Sequence, residues 1–118
     1  MADHNLIWAL KTGDLEEVKA KLVTAQDVNR TLDNGRKPLN IVADFGQLEV
    51  MEFLVSKGAD VNATDKHGLT PLYCACMEEN TKCVKYLLEK GADPHLKVQG
   101  GMSLLDCVES DSIKALLQ

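Results

Sequence analysis

Apolar residues in the middle of the chain recur at the spacing of one helix face. Val84, Leu87 and Leu88 lie three and four positions apart, so a helix would place all three on the same side. A glycine follows this block at Gly91, and another follows the preceding apolar block at Gly58. Glycine readily adopts the left-handed conformation that ends many helices. The pattern therefore predicts short amphipathic helices that end at glycines.

The apolar blocks and their turn residues repeat with a period of 33 residues. Gly35, Gly68 and Gly101 stand at this spacing. Such a fixed period indicates a series of stacked structural repeats. The same period relates Pro38 to Pro71, Leu39 to Leu72 and Leu105, and the Gly-Ala-Asp segment 58–60 to the identical segment 91–93.

Each period contains the signals that start a helix after a turn. Thr70 can accept hydrogen bonds from the free amides of a first helical turn, and Pro71 suits the first helical position. We expect a first helix over residues 71 to about 78, followed by the second helix that carries Val84. Gly68 lies in the turn before this pair, where a positive φ is expected.

A turn and two helices in 33 residues resemble the ankyrin repeat. The resemblance implies an all-α repeat fold, an ankyrin-repeat solenoid of helix-turn-helix units joined by β-hairpin-like turns. We expect two full repeats, 33–65 and 66–98, between partial capping repeats at 1–32 and 99–118, all in a single domain, 1–118. The segments that carry the resemblance are 46–50 (Gly-Gln-Leu-Glu-Val), 68–72 (Gly-Leu-Thr-Pro-Leu) and 86–93 (Tyr-Leu-Leu-Glu-Lys-Gly-Ala-Asp).

Three positions depart from the ankyrin pattern. Asn40 in one repeat and Tyr73 in the next replace the histidine of the Thr-Pro-Leu-His motif. That histidine normally joins a hydrogen-bond network between repeats, so we expect weaker local coupling and modest stability. Glu79 stands where Gly13 and Gly46 stand in the other repeats, at the junction of the two helices.

The negative net charge of the chain disfavours nucleic acid as a partner. Its 118 residues carry a formal net charge of -5 and lack the basic clusters that phosphate binding requires. No apolar run is long enough to cross a membrane, and the first five residues lack the pattern of a signal peptide. We expect a cytoplasmic protein that also diffuses into the nucleus and binds protein, not nucleic acid or membrane. The acidic balance mildly favours a basic partner.

The four cysteines raise the question of a metal or catalytic site. Cys74 and Cys76 are two residues apart, which on a helix separates their thiols by about 200° and does not match the Cys-x-x-Cys spacing of zinc sites. Cys74 and Cys107 are one period apart, as small core residues would be. No histidine lies at a recognisable catalytic spacing from a thiol. We expect reduced thiols, no metal, no cofactor and no enzymatic activity.

Sequence segments near the two ends of the chain resemble those of the myotrophin family of ankyrin-repeat proteins. The resemblance implies binding of the heterodimeric actin filament capping protein, whose sequestration leaves filament barbed ends free to grow. An alternative that it also implies is a regulator or adaptor of NF-κB-type transcription factors or of another protein client. We expect the chain to be a monomer. The resemblance rests on segments 8–11 (Trp-Ala-Leu-Lys), 13–15 (Gly-Asp-Leu), 27–32 (Asp-Val-Asn-Arg-Thr-Leu), 35–39 (Gly-Arg-Lys-Pro-Leu) and 113–118 (Ile-Lys-Ala-Leu-Leu-Gln).

Ankyrin stacks usually bind partners through the turn tips and the exposed face of the first helices. Trp8 either contacts a partner or closes the end of the core, and Phe45 either contacts a partner or packs on the neighbouring repeat. The charged candidates are either partner contacts or solvated rim and turn residues. The family pattern has His, Tyr and Cys where this chain has Asn40, Ile41 and Phe45. The register nominates as protein-binding residues Asp33, Asn34, Arg36, Asp44, Phe45, Lys66, His67, Leu69, Met77 and Glu78. Trp8 on the first helix and the rim residue Arg30 are further candidates. The resemblance to the family adds Asn40 and Ile41, which lie in its expected binding region.

Overall fold

The computed structural model describes residues 3–97 and 100–118. Across these residues the helices follow one another mostly in pairs, which confirms the predicted all-α repeat fold. The helices are α1 (His4–Thr12), α2 (Leu15–Lys21), α3 (Ala25–Asn29), α4 (Pro38–Phe45), α5 (Leu48–Ser56), α6 (Pro71–Met77), α7 (Thr81–Glu89), α8 (Leu104–Cys107) and α9 (Asp111–Leu117).

The core lies between two rows of helices. Helix α4 packs between α1 and α6, while α5 packs against α2 and α7, and α7 packs against α9. Leu10, Val42, Met51, Leu54 and Leu87 are completely buried between these helices. Burying an aliphatic side chain of this size contributes roughly 1.5–3 kcal/mol. The apolar face predicted for each helix is therefore the face that joins the repeats.

The first helix of the central repeat begins and ends close to the predicted positions. Pro71 is its first residue, and the Thr70 hydroxyl accepts a hydrogen bond from the backbone N–H of Tyr73 at 3.1 Å. The helix ends at Met77, one residue before the predicted end. Gly68 in the preceding turn has φ = 79°, which confirms the expected positive φ.

Helix α3 was not predicted from the sequence. Its first turn is held by a capping box, in which the Thr24 hydroxyl accepts a hydrogen bond from the Asp27 N–H and the Asp27 carboxylate accepts one from the Thr24 N–H. The Asp27 carboxylate also accepts a bond from the Val23 N–H. This helix has five residues, so its capping residues are a stronger signal than its apolar pattern.

The turns between repeats are short, and the same backbone hydrogen bond closes each of them one period apart. A backbone bond from Leu32 N–H to the Arg36 carbonyl closes one turn, and the bond from Asp65 N–H to the Leu69 carbonyl closes the next. A bond from Lys66 N–H to the Gly35 carbonyl joins the two turns at 2.9 Å. Among the described residues the bridge between Lys97 and Ser103 marks the following turn.

Two asparagines couple the ends of the second helices across repeat boundaries. The Asn29 amide donates to the Gly58 carbonyl and accepts from the Asp60 N–H. One period later, Asn62 makes the corresponding bonds to the Gly91 carbonyl and the Asp93 N–H. Each asparagine thus holds the Gly-Ala-Asp segment of the next repeat, which lies 29 to 31 positions later in the sequence.

Asn40 still bonds to the next repeat through its side-chain nitrogen, while its buried side-chain oxygen has no hydrogen-bond partner among the described residues. Asn40 is completely buried, and its side-chain N–H donates to the Leu69 carbonyl of the next repeat at 2.7 Å. The same nitrogen lies 3.4 Å from a carboxylate oxygen of Asp65. Asn40 therefore retains a hydrogen bond between repeats at the position where the ankyrin pattern has histidine.

Glu79 has a positive φ, a backbone conformation that usually requires glycine. Its φ is 56°, in the left-handed region that Gly13 and Gly46 occupy at the same register position. A side chain in that region costs about 1 kcal/mol relative to the right-handed conformation. The helix junction imposes this geometry on whichever residue stands there, which explains the glycines in the other two repeats.

We expect Glu79→Gly to raise the free energy of unfolding by about 0.5–1 kcal/mol, because it removes the left-handed strain. The measurement is urea denaturation followed by circular dichroism. The matched control is Glu78→Gly, whose backbone has an ordinary φ of -93° and which should lose stability instead. Equal effects of the two substitutions would contradict the strain at Glu79.

We expect Asn40→Asp to lower the free energy of unfolding by about 2–4 kcal/mol. The substitution replaces a buried donor with a carboxylate that faces the Leu69 carbonyl and the Asp65 carboxylate. Asn34→Asp is the control, because Asn34 is exposed and only accepts a bond, from the Arg36 N–H. Thermal and urea unfolding of both variants test the difference, and similar losses would argue against the bond at Asn40.

Candidate protein-binding surface

Trp8 is exposed at the first helix, and the helix register explains why. Its equivalents one and two periods later, Ile41 and Cys74, are buried. The Cys74 sulfur lies 3.5 Å from a guanidinium nitrogen of Arg36, which belongs to the preceding turn, so this helix position faces the preceding repeat. Among the described residues no helix precedes α1, and 65% of the Trp8 surface is exposed.

Carboxylates surround the recess beside this tryptophan. Trp8 lines a cavity of about 280 Å³ together with Asn5, Ala9, Asp14 and Glu17. The position of Asp14 is fixed by its role as the cap of α2, where its carboxylate accepts a bond from the Glu17 N–H at 3.2 Å. The surface thus combines a large apolar side chain with negative charge, which suits a partner that has an apolar anchor and basic groups.

Phe45 is the second large apolar side chain exposed on the first helices. It lies at the end of α4 with 48% of its surface exposed. The ammonium of Lys11 lies 5.5 Å from the centre of its ring, at the distance of a cation–π contact with the neighbouring repeat. Phe45 therefore packs partly on its neighbour and leaves about half of its surface exposed to solvent.

Arg36 is held inside the protein by a network of charged and polar groups. Its Nε donates to the Asp65 carboxylate at 2.9 Å, and Nη1 lies 3.7 Å from the Asp44 carboxylate. Asp65 is buried, so its charge requires this pairing. Arg36 and Asp44 are both half-buried, and the part of each that stays accessible is oriented by this network.

Arg30 is paired with an aspartate from the start of α1. One guanidinium nitrogen lies 2.6 Å from the Asp3 carboxylate, and the second lies 3.3 Å away. The Asp33 N–H donates to the same carboxylate at 2.6 Å. The hydrogen bonds from Arg30 lower the pKa of Asp3 against the opposing effect of burial, and the bond to Asp3 raises the pKa of Arg30.

The remaining candidates on the turn tips are exposed. Asp33 and Asn34 lie on one tip, and Lys66 and His67 lie on the next. A ring nitrogen of His67 is 3.5 Å from the Asn34 carbonyl, so the two tips touch. Leu69 and Met77 are half-buried below them, and Glu78 is exposed at the end of α6. The structure thus brings the two turn tips together, while Met77 and Glu78 lie at the C-terminal end of α6.

Asn40 and Ile41 do not belong to this surface. Both side chains are completely or almost completely buried, with Ile41 in the apolar core and Asn40 bonded to the next repeat. Neither can touch a partner without unfolding of the repeat, so their nomination as binding residues is wrong. The helix register explains the error, because both positions of α4 lie between neighbouring repeats.

Several residues that shape the surface were not nominated from the sequence. Asp3, Asp14, Glu17 and Lys11 position or surround the candidates, and Asp65 anchors Arg36. Asp65 had one available signal, since it occupies the register position of the buried Leu32. A charged residue at an apolar repeat position indicates a buried ion pair.

Cys74, Cys76 and Cys83 are buried like core residues, whereas Cys107, which was also expected in the core, is only half-buried. Burial raises the pKa of Cys74 and of Cys76 to about 12, and it also raises the pKa of Cys83. All four cysteines are free. Within residues 3–97 and 100–118 there is no cluster of three or more metal-ligating side chains. No helix in this described part is long and apolar enough to cross a membrane.

A family model described as ankyrin repeats (3 copies) matches residues 6–98. This match covers most of the chain and agrees with the observed helix pairs. The chain therefore belongs to the ankyrin-repeat family, whose members are protein-binding scaffolds without a shared catalytic site.

Within that family the chain is similar to myotrophins. It is 56% identical to myotrophin of Xenopus tropicalis over 57 residues, 48% of each chain. It is 57% identical to human myotrophin over 47 residues, 40% of each chain. It is 68% identical to myotrophin of Danio rerio over 40 residues, 34% of each chain. The chain thus spans about half, or less, of the length of these relatives, and it is a myotrophin-like ankyrin-repeat protein.

We expect the stabilisation that the Asp3–Arg30 pair contributes to decrease at low pH. The folded pKa of Asp3 is lowered, so its stabilisation is present above the unfolded carboxyl pKa of about 3.9 and is lost as pH falls through the folded value. Asp3→Asn should therefore cost up to about 1 kcal/mol at pH 7, since solvent screens the half-exposed Arg30, and much less at pH 2.

Urea unfolding at pH 7 and at pH 2 measures this difference. Asp60→Asn is the control, because Asp60 is exposed and its carboxylate is not in a salt bridge with any described residue. An Asp3→Asn loss that is the same at both pH values would contradict the charged pairing.

Proposed function

We propose that this chain binds the heterodimeric actin filament capping protein and sequesters it. The similarity to myotrophins over about half of the chain supports the proposal, because the resemblance to that family implies this client. The ankyrin-repeat fold supports a binding role of this type, since it presents an extended surface of turn tips and helices.

The exposure of Trp8 is the observation that carries the proposal. A monomeric protein gains little from an exposed tryptophan, whereas tryptophan is among the side chains that contribute most to binding at interfaces. Here its equivalents in the following repeats are buried, so the partner takes the place of a preceding repeat. Its ring offers a large contact area at the end of the core.

The charges of the surface define the partner's chemistry. Asp14 and Glu17 lie beside Trp8, and Asp44 lies on α4 next to Phe45. These carboxylates complement a basic surface and accelerate encounter with it at low ionic strength. The net charge of -5 adds to this attraction. We infer that the capping protein contributes basic side chains and an apolar pocket to the complex.

Sequestration requires only binding, without covalent chemistry. A capping protein held in this complex is withdrawn from the pool that blocks filament barbed ends, so more barbed ends remain free to grow. The rigid stack suits this role, because turn tips fixed by the Arg36–Asp65 pair lose little conformational entropy when they bind.

We expect the purified protein to bind purified capping protein with 1:1 stoichiometry, as measured by calorimetry at near-physiological salt. Trp8→Ala should weaken the affinity by roughly 30-fold or more, because it removes the central apolar anchor. The matched control is Val23→Ala, which also shortens an exposed apolar side chain but lies between α2 and α3. It should leave the affinity unchanged.

Two results would contradict the proposal. Absence of binding by a folded protein would remove capping protein as the client, and a parallel titration with an NF-κB-type dimer would then test the alternative. Binding that Trp8→Ala does not weaken would show that the uncovered end of the stack is not the interface. Circular dichroism of each variant separates a lost contact from a lost fold.

A further inference from the structure

A second cavity lies at the other end of the stack. It has a volume of about 260 Å³ and is located where the end of α6 meets the segment between α8 and α9. Two cysteines are among its lining residues, one from each side of the junction. The lining residues are Cys76, Met77 and Glu79 from the α6 side and Cys107, Glu109 and Ser110 from the α8 side.

The helix register explains why the two cysteines line the same cavity. Cys107 stands one period after Cys74, and Cys74 faces the preceding repeat, as its contact with Arg36 shows. Cys107 accordingly faces α6, where Cys76 lies. One repeat earlier the position of Cys76 is occupied by Ala43, so the corresponding junction between α4 and α6 has a thiol on one side only. The thiol pair is therefore specific to the junction between α6 and α8.

The two thiols differ in their access to solvent. Cys76 is 2% exposed, whereas Cys107 is only half-buried and borders the cavity near its polar residues Glu109 and Ser110. A small oxidant in solution therefore reaches Cys107 first. Cys76 lines the same cavity from the α6 side, where it can act as the second cysteine that resolves an oxidised one.

We propose that hydrogen peroxide converts Cys76 and Cys107 into an intramolecular disulfide that joins α6 to α8. The Cys107 sulfur attacks peroxide, an S–O bond forms as the O–O bond breaks, and one water leaves. The Cys76 sulfur then attacks the resulting sulfenic acid, the S–S bond forms as the S–O bond breaks, and a second water leaves. Two thiols are thereby oxidised by two electrons, and one peroxide is reduced to two waters.

The disulfide would link α8, the shortest of the described helices, covalently to α6. Helix α8 has four residues, and its first turn is held by the Ser103 hydroxyl, which accepts from the Asp106 N–H. The bond would close a loop between positions 76 and 107. Closing a loop of this length restricts the unfolded chain. The last helix pair would then unfold only together with the repeat before it.

The test is peroxide treatment of the native protein, followed by alkylation of free thiols and non-reducing peptide mapping. We expect a linked peptide pair containing Cys76 and Cys107, with Cys74 and Cys83 still alkylated after denaturation. The melting temperature of the oxidised protein should rise by roughly 5–10 °C, and dithiothreitol should reverse the change.

Substitutions distinguish this disulfide from general oxidation. Cys107→Ser should leave Cys76 reduced and abolish the rise, whereas the matched control Cys83→Ser should keep both the linked peptide and the rise. In Cys76→Ser, Cys107 should proceed to the sulfinic acid or to a disulfide-linked dimer. A linkage that involves Cys74 or Cys83, or a wild-type protein that ends in the same products as Cys76→Ser, would overturn the proposal. These readouts do not involve capping protein and are independent of the proposed function.

Discussion

The buried carboxylate of Asp65 connects one repeat to the next. One of its oxygens accepts hydrogen bonds from the N–H groups of His67 and Leu69 and thereby shapes the turn tip. The other accepts a bond from Arg36 in the preceding turn. A buried charge is tolerated only with such partners. Both tips therefore take their positions from the requirement to satisfy one carboxylate, and the candidate surface inherits that arrangement.

This constraint separates the residues that hold the candidate surface in place from those that leave large side chains exposed on it. Arg36 is largely committed to Asp65 and Asp44, and Arg30 is committed to Asp3. Trp8 and Phe45 are the large side chains of the first helices that remain substantially exposed among the described residues. The charged residues thus provide order and an electrostatic field, while the aromatic rings provide contact area. A substitution at Arg36 would affect binding through the shape of the turns.

Much of the fold was predictable because the period of 33 residues is imposed by packing. Each repeat meets its neighbours in the same way, so helix starts such as Thr70–Pro71 and turn glycines such as Gly68 recur in register. Helix α3 was missed because it depends on a local capping box in a single place. Its five residues are too few to show an apolar period.

The candidate surface was only partly predictable. The sequence left open whether Trp8 is exposed or closes the end of the core, and the structure shows it 65% exposed. Asn40 and Ile41 were assigned to the surface from their resemblance to family positions, whereas their burial depends on helices from both neighbouring repeats. The partner of Arg30 could not be deduced, because the Asp3 carboxylate reaches it across 27 positions in the sequence. Tertiary neighbours of this kind leave no periodic signal.

Trp8 and Ile41 occupy the same position in their repeats, so a repeat added before α1 would cover the side chain that the proposed client contacts. A repeat engineered in front of α1 would cover Trp8 in the way that α4 is covered at Ile41, and the added burial would favour a longer solenoid. The same addition would remove the aromatic ring from any client. An extended version of this protein should therefore be harder to unfold and, under the proposed function, poorer at binding, since both properties depend on the face of α1 that carries Trp8.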